Sequence, residues 1–372
     1  MKTIYIISKG IQKLAPHEMR QLEIDNKIPR ASILEQAISA ELLDERYLKI
    51  KTPTYRRIMY NLLPVSIAQM IEALFIMHRY DVILSQTEKV GFPLALMMKL
   101  LNITKPHIVI ISRITSVDEK KSRQKIWFLK KTKDKIDKFL IWSSMQRRIA
   151  IEELGVAPEK IVLIKRGTDQ QFWQPQNRET DTICSVGMEA RDYPTLMEAL
   201  RPLNIPCHIA AGASRGEIFN TVKKLHNIKD IPKFITVGPK SLMELRDLYA
   251  RSRFVVVSLL PTDSDNGLTT ILESMAMGKP VICTQTQGQV DVIQDGVTGI
   301  YVPLGDKKAM QDAILELWND PERCKKMGAA ARKYIEETHN VEQFAESIKN
   351  EINVTVNGKS QQKKPRLEHV EV

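Results

Sequence analysis

Cysteine is scarce in this sequence: Cys184, Cys207, Cys283 and Cys324 are the only four in 372 residues, and no two form a Cys-x-x-Cys pair. Such spacing excludes a disulfide-stapled framework and a structural zinc site, so the four read as buried thiols of a reducing cytoplasm. Long apolar runs are missing too. No stretch approaches the roughly 20 residues that a helix needs to span a bilayer. The run Met1-Lys-Thr-Ile-Tyr-Ile-Ile-Ser is too short for a signal peptide and reads as a first buried strand. No internal repeat is present, and no metal-ligand cluster appears, so no resident metal or other cofactor is expected.

What is there suits two domains. A chain of 372 residues with 43% hydrophobic content can bury two full cores. Its charge is lopsided: residues 1–170 hold 30 Lys+Arg against 18 Asp+Glu, whereas the remainder holds 25 against 26. The positive excess of the first half points to an anionic partner there, either a membrane surface or a phosphorylated acceptor. The most basic segment, 120–138, carries nine Lys/Arg and two acids, interrupted by Ile126, Trp127, Phe128 and Leu129. A helix there either lies on anionic lipid at the inner face of the membrane or packs on the domain with a solvated basic face. No stacking platform accompanies the cations, so nucleic acid is not an expected partner.

Strand and helix signals alternate along most of the chain. Weak strand signals fall near Ala31–Leu34 and Tyr47–Ile50, and a helical stretch from Thr54 to Tyr80 is broken by Pro64. Clearer buried strands follow at Asp81–Ser85, His107–Ile111, Phe139–Trp142 and Thr182–Val186. His107 precedes its apolar run and reads as a strand-start residue. This order predicts an α/β fold, doubly wound, with ligands at the carboxyl ends of the strands.

The stretch from Thr262 to Asp306 organises the rest. A polar loop, Asp263–Gly267, opens onto a helix-forming segment, Leu268–Met277, which Gly278 closes and Pro280 follows. A strand, Pro280–Cys283, leads to a turn at Gln287-Gly288, a brief helix around Val290–Ile293, a turn at Asp295-Gly296 and a strand ending at Val302. Two helix N-termini are thus expected after loops suited to close backbone approach, and free N–H groups there attract anions. Asp265 and Glu273 stand with seven residues between them. A carboxylate accepts both hydroxyls of a vicinal diol. Alternatively Asp265 caps the helix and Glu273 is a solvated helical acid.

Glu273-Ser-Met-Ala-Met-Gly-Lys-Pro-Val, Asp295-Gly-Val-Thr-Gly and Val302-Pro-Leu-Gly-Asp306 resemble the nucleotide-sugar-binding segment of the retaining glycosyltransferases of family 4. Lys165-Arg-Gly-Thr-Asp-Gln-Gln-Phe-Trp-Gln-Pro175 is similar to the family's crossover between domains. The resemblance implies the GT-B fold, two Rossmann-like domains facing across a cleft: 1–173 on the acceptor side, 174–356 on the nucleotide-sugar side, and a disordered tail over 357–372. The last helix commonly packs back on the first domain. The implied activity is retaining hexosyl transfer from a nucleoside diphosphate sugar to a hydroxyl acceptor, such as a glycan, glycolipid or polysaccharide precursor. By the same resemblance Glu273 holds the ribose, and Asp265 with the backbone of Asn266, Gly267, Leu268 and Thr269 holds the donor sugar. Gly187 opens the diphosphate loop, Gly238 borders the base, and Gly10 marks the acceptor loop.

Some positions depart from the family. The first acid is Asp where Glu is usual, and Gly267 lies one place early. Ser112-Arg113-Ile114-Thr115-Ser116 lacks the family's histidine, and Arg113 either replaces it on sugar or phosphate or is a surface arginine. Met188 stands where the diphosphate arginine would be, leaving Arg191 either on the diphosphate or paired with Glu189 or Asp192. These changes keep two alternatives open: a catalytically silent nucleotide-sugar-binding protein, and a sugar phosphorylase.

Overall fold

The structure, a computed structural model, describes residues 1–7, 15–111, 113–114, 119–178, 181–211, 225 and 230–362. Short apolar runs become strands buried on both faces: Val82–Ser85 and Val281–Thr284 are buried at every residue, as strands between two helical layers must be. The first sheet has the order β2-β1-β3-β4-β5-β6 and is parallel throughout. Its strands are β1 (Thr3–Ile6), β2 (Ala40–Leu43), β3 (Val82–Ser85), β4 (His107–Ile111), β5 (Lys138–Ile141) and β6 (Ile161–Leu163). The second sheet contains β7 (Thr182–Val186), β8 (Cys207–Ala210), β9 (Ile235–Val237), β10 (Ser252–Val257), β11 (Val281–Thr284) and β12 (Gly299–Val302). Its order, β12-β11-β10-β7-β8-β9, is also parallel. These are the two doubly wound domains that the sequence predicts.

Period-two alternation places the two cores of the first domain. Ile4, Ile6 and Ile83 point to a layer containing Leu43, Ala73 and Leu94. Tyr5, Val82 and Leu84 point the other way, onto Ala345, Ile348 and Ile352 of the last helix, Val341–Gln362. That helix therefore crosses back to cover the first domain. It runs to Gln362, past residue 357 where a tail was expected, and the Lys359 ammonium reaches the Asp137 carboxylate at 2.7 Å. Residues 363–372 lie outside the described residues.

Three local expectations are overturned. The segments near Ala31–Leu34 and Tyr47–Ile50 are not strands but belong to the helices Ser32–Ala37 and Glu45–Ile50. The strand lies between them, at Ala40–Leu43, where weak intrinsic preference is overridden by pairing from Thr3↔Ala40 to Ile6↔Leu43. Asp44 then starts the next helix, accepting from the Tyr47 N–H at 2.7 Å. The brief helix expected around Val290–Ile293 does not form. Thr286 and Gln289 close a bridge around Gln287-Gly288, Val292 and Ile293 turn into the core, and too few residues remain before the next turn to nucleate a helix.

The basic segment forms the helix Glu119–Thr132. Leu129 is buried and Ile126 and Phe128 pack on the same core, while Trp127 is 50% exposed. Most of the apolar patch thus faces inward. Among the described residues no helix is long and apolar enough to cross a membrane.

Candidate functional site

In the second sheet the strand order reverses between β7 and β10, and the carboxyl ends of those two strands flank a crevice. Gly187 follows β7. Its φ is +121°, and a Cβ there would lie 2.3 Å from Nη2 of Arg191, so only glycine lets the chain pass this guanidinium. After β10 the acidic loop runs to Gly267, which caps the helix Leu268–Ala276 at φ +92°. A Cβ at Gly267 would stand 2.9 Å from Val257 Cγ1. The helix N-terminus consequently opens directly at the end of the sheet; the Leu268 N–H is taken by Asp265 O at 3.0 Å, and those of Thr269 and Thr270 have no partner within the helix.

A second loop braces the first. The Gly288 N–H donates to Thr262 O at 3.2 Å, and the Gln289 amide donates to Asn266 O at 3.0 Å. Within the acidic loop the Asn266 amide donates to Thr262 Oγ1 at 2.8 Å and to Ser264 Oγ at 3.1 Å. The first domain adds a third support: Gln146, fully buried, donates to Asp263 O at 2.8 Å and accepts from the Ile114 N–H at 2.7 Å. One amide thereby ties the segment carrying Arg113 to the loop carrying Asp265.

The crevice is a cavity of 340 Å³, large enough for part of a small ligand. Arg113, Arg166, Arg191, Met188, Glu189, Ser264 and the residues from Asp265 to Thr270 line it. Arg113 reaches across from the first domain to pair with Glu189 at 2.9 Å. Arg191 is buried, donating to Val186 O at 2.9 Å, to Glu189 O at 2.8 Å and to Thr270 Oγ1 at 3.3 Å. It touches neither carboxylate expected to pair with it; its partners are backbone carbonyls and a hydroxyl.

Both acids are held in the neutral direction. Burial pushes the Asp265 carboxyl above its ordinary range, with Arg166 and then Arg113 partly offsetting it. Burial also raises Glu273, to about 7, against the lowering effects of a 3.1 Å hydrogen bond from Tyr249 and of Arg166. Glu273 lies one turn beyond Thr269 and Thr270 on the same helix, outside the lining of the cavity, with the Tyr249 hydroxyl donating to it.

The structure therefore brings together Asp265, Asn266, Gly267, Leu268, Thr269, Arg191 and Arg113, with Gly187 against Arg191 and Glu273 on the same helix. Gly238 stands apart at the end of β9, two strands from β7, with open space beside it. Gly10, Thr115 and Ser116 lie outside the described residues. His107 sits at the start of β4, buried, its Nε2 2.9 Å from Ser85 Oγ, and burial lowers it to about 3. The residues that sequence reasoning missed are Arg166, Thr270, Tyr249 and Gln146. Arg166 had one signal, a cation just before the glycine of the crossover segment.

The pattern of the glycosyl transferases group 1 family matches residues 189–320, most of the second domain and every residue lining the crevice on that side but Met188. The N-acetyl-alpha-D-glucosaminyl L-malate synthase of Bacillus anthracis is 32% identical over 120 residues, 32% of this chain and 29% of that protein. Matches to the first such relatives span 21% to 63% of their length, less than two thirds in each case. Whole-chain likeness appears in solved structures. HepE of Anabaena in complex with UDP-glucose superposes with a TM-score of 0.69 at 16% identity, over 95% of this chain and 100% of that one. Sucrose-phosphate synthase of Thermosynechococcus elongatus gives 0.73 at 14% identity, over 96% and 99%. At those identities the likeness is one of fold. The chain therefore has the GT-B architecture throughout and carries the glycosyl transferases group 1 pattern across residues 189–320.

Proposed function

We propose that the protein transfers a hexosyl group, with retention, from a nucleoside diphosphate sugar to a hydroxyl acceptor. The observation that carries this reading is the crevice at the strand-order reversal, where a helix N-terminus, three arginines and Asp265 meet, with Glu273 one turn further along the same helix. The helix N-terminus and Arg191 receive the diphosphate, since the Thr269 and Thr270 N–H groups of the first turn and a guanidinium are both suited to phosphate oxygens. Glu273 accepts the ribose diol, while Asp265 and the backbone of Asn266, Gly267, Leu268 and Thr269 hold the sugar. Arg113 and Arg166 stabilise charge on the departing diphosphate from the first domain's side and the crossover. The donor is a substrate, and on this reading no resident cofactor takes part. Gly187 allows the close approach, Gly238 borders the base, and Gly10 belongs to the acceptor side. An anionic membrane surface is a further partner of 120–138, through Trp127 with the exposed Arg123, Lys130 and Lys131.

Titration calorimetry with nucleoside diphosphates and their hexose sugars tests the donor half. Tight binding of one nucleotide, lost in Glu273→Ala, is the expected result, and an anomeric proton coupling in the product that matches the donor's then establishes retention. Failure of every nucleotide to bind would overturn the reading. One observation favours a second reading, a binding protein without turnover: Arg191 is already engaged by Val186, Glu189 and Thr270. Nucleotide-sugar binding with neither transfer nor donor hydrolysis would select it.

A further inference from the structure

Beyond Arg113 and Ser264 the cleft continues into a second cavity of 510 Å³, between the acidic loop and the β11–β12 connection. Its chemistry differs from that of the first. The Asp263 carboxylate and the side-chain amides of Gln285 and Gln287 line it, and among the described residues none of the three has a hydrogen bond or ion pair. The Thr286 hydroxyl, on a residue 6% exposed, is buried beside them without a partner. Four hydrogen-bonding side chains thus converge on one space with their capacity unused; the buried Thr286 hydroxyl is costly to leave so, and the half-buried Asp263 and exposed glutamines stand ready beside it. Among the described residues Arg113 is the only cation in the lining, and Glu189 already matches its charge at 2.9 Å. With Asp263 present, the cavity repels a phosphate or carboxylate. A carboxylate accepts from two vicinal hydroxyls, and each amide both donates and accepts, which suits a sugar ring.

We propose that this second cavity binds a neutral saccharide, and, resting on the transferase reading above, that this saccharide is the acceptor. The positive excess of the first half had suggested a phosphorylated acceptor; the cavity's lining points the other way. Asp263 grips a diol from the acidic loop, and Gln285 and Gln287 grip the opposite edge from the β11–β12 connection. The acceptor hydroxyl is then presented past Arg113 towards Asp265.

Saturation-transfer NMR on the full chain tests this, with neutral methyl hexopyranosides and disaccharides as probes beside hexose phosphates. Neutral saccharides are expected to show transfer, with affinity at least tenfold weaker in Asp263→Ala and in the double variant Gln285→Ala/Gln287→Ala. Asp263 is half-buried and both glutamines are exposed, so these variants fold, and thermal melting checks it. No transfer to any neutral saccharide, equal transfer in the variants, or tighter binding of hexose phosphates would each overturn the proposal. Calorimetry with the set of nucleoside diphosphates on the same samples separates the two readings. Saccharide binding without binding of any nucleoside diphosphate refutes the donor assignment and upholds this site; nucleoside diphosphate binding without saccharide binding does the reverse.

Discussion

Replacing Glu273 by glutamine tests the link between burial and binding at the crevice. The carboxyl is raised from 4.5 to about 7, chiefly by burial, while the Tyr249 hydroxyl donates to it at 3.1 Å. A diol requires the ionised form as a double acceptor. With a pKa near 7, about one tenth of the carboxyl is ionised at pH 6 and about nine tenths at pH 8, so affinity for the nucleoside diphosphate that binds should rise roughly tenfold over that interval. Glutamine keeps an oxygen for Tyr249 but cannot titrate, so the variant should bind more weakly and show no such slope. Calorimetry in two buffers of different ionisation enthalpy reads the proton released by wild type at pH 6 and not by the variant. Stability must change in the opposite sense. Because the folded pKa is raised, folding binds a proton between about 4.5 and about 7, and stability is lost as pH rises through that window. Glu273→Gln should therefore melt higher than wild type at pH 8, the difference shrinking towards pH 4.5. A flat wild-type affinity from pH 6 to 8, or an identical slope in the variant, would refute the assignment of the ribose to an ionised Glu273.

Other expectations follow from single contacts. Gly267→Ala forces an alanine to φ +92° and against Val257, at a cost of about 1–2 kcal/mol from the left-handed backbone alone, and should lower both the melting temperature and nucleotide affinity. Arg191→Lys loses the fork that bonds Val186 O and Glu189 O; charge-assisted bonds of this kind contribute about 1.5–3 kcal/mol each, so the melting temperature should fall clearly. Loss of nucleotide binding with unchanged melting would show that those carbonyl bonds are not what Arg191 is for. Gln146→Leu removes both bonds linking Ile114 to Asp263, and small-angle scattering should report a larger radius of gyration than wild type. An unchanged radius would mean that the remaining contacts between the domains suffice.

The second domain was legible because its signals are local. Gly267 before an apolar helix, Gly278 and Pro280 after it, and strands buried at every residue all mark themselves within a few positions. The first domain hides its edge strand. Ala40–Leu43 has the composition of a helix and becomes a strand only because Thr3–Ile6 lies beside it. Pairing over nearly forty positions leaves no trace in a local window, so the flanking helices were taken for strands.

The same reasoning explains which site residues could be named. Asp265 and Glu273 stand eight positions apart, at the loop and on the helix that follows it, so their grouping is written in the chain. The three arginines are not grouped there: Arg113 follows β4, Arg166 follows β6 and Arg191 follows β7, and only the meeting of two sheets puts them around one cavity. Arg191 shows why residue type alone misleads. As a sequence letter it is a free cation near a diphosphate loop, yet the positive φ of Gly187 lets its guanidinium sink onto Val186 O and Glu189 O. What remains for a ligand is the side of the fork that faces the helix N-terminus, beside Gly267 and Thr270. A buried arginine fixed in that way cannot swing to meet a phosphate; the phosphate has to be brought to it. On the proposed function the backbone N–H groups of the crevice do this, in directions the helix already sets, so the binding geometry is held before any ligand arrives.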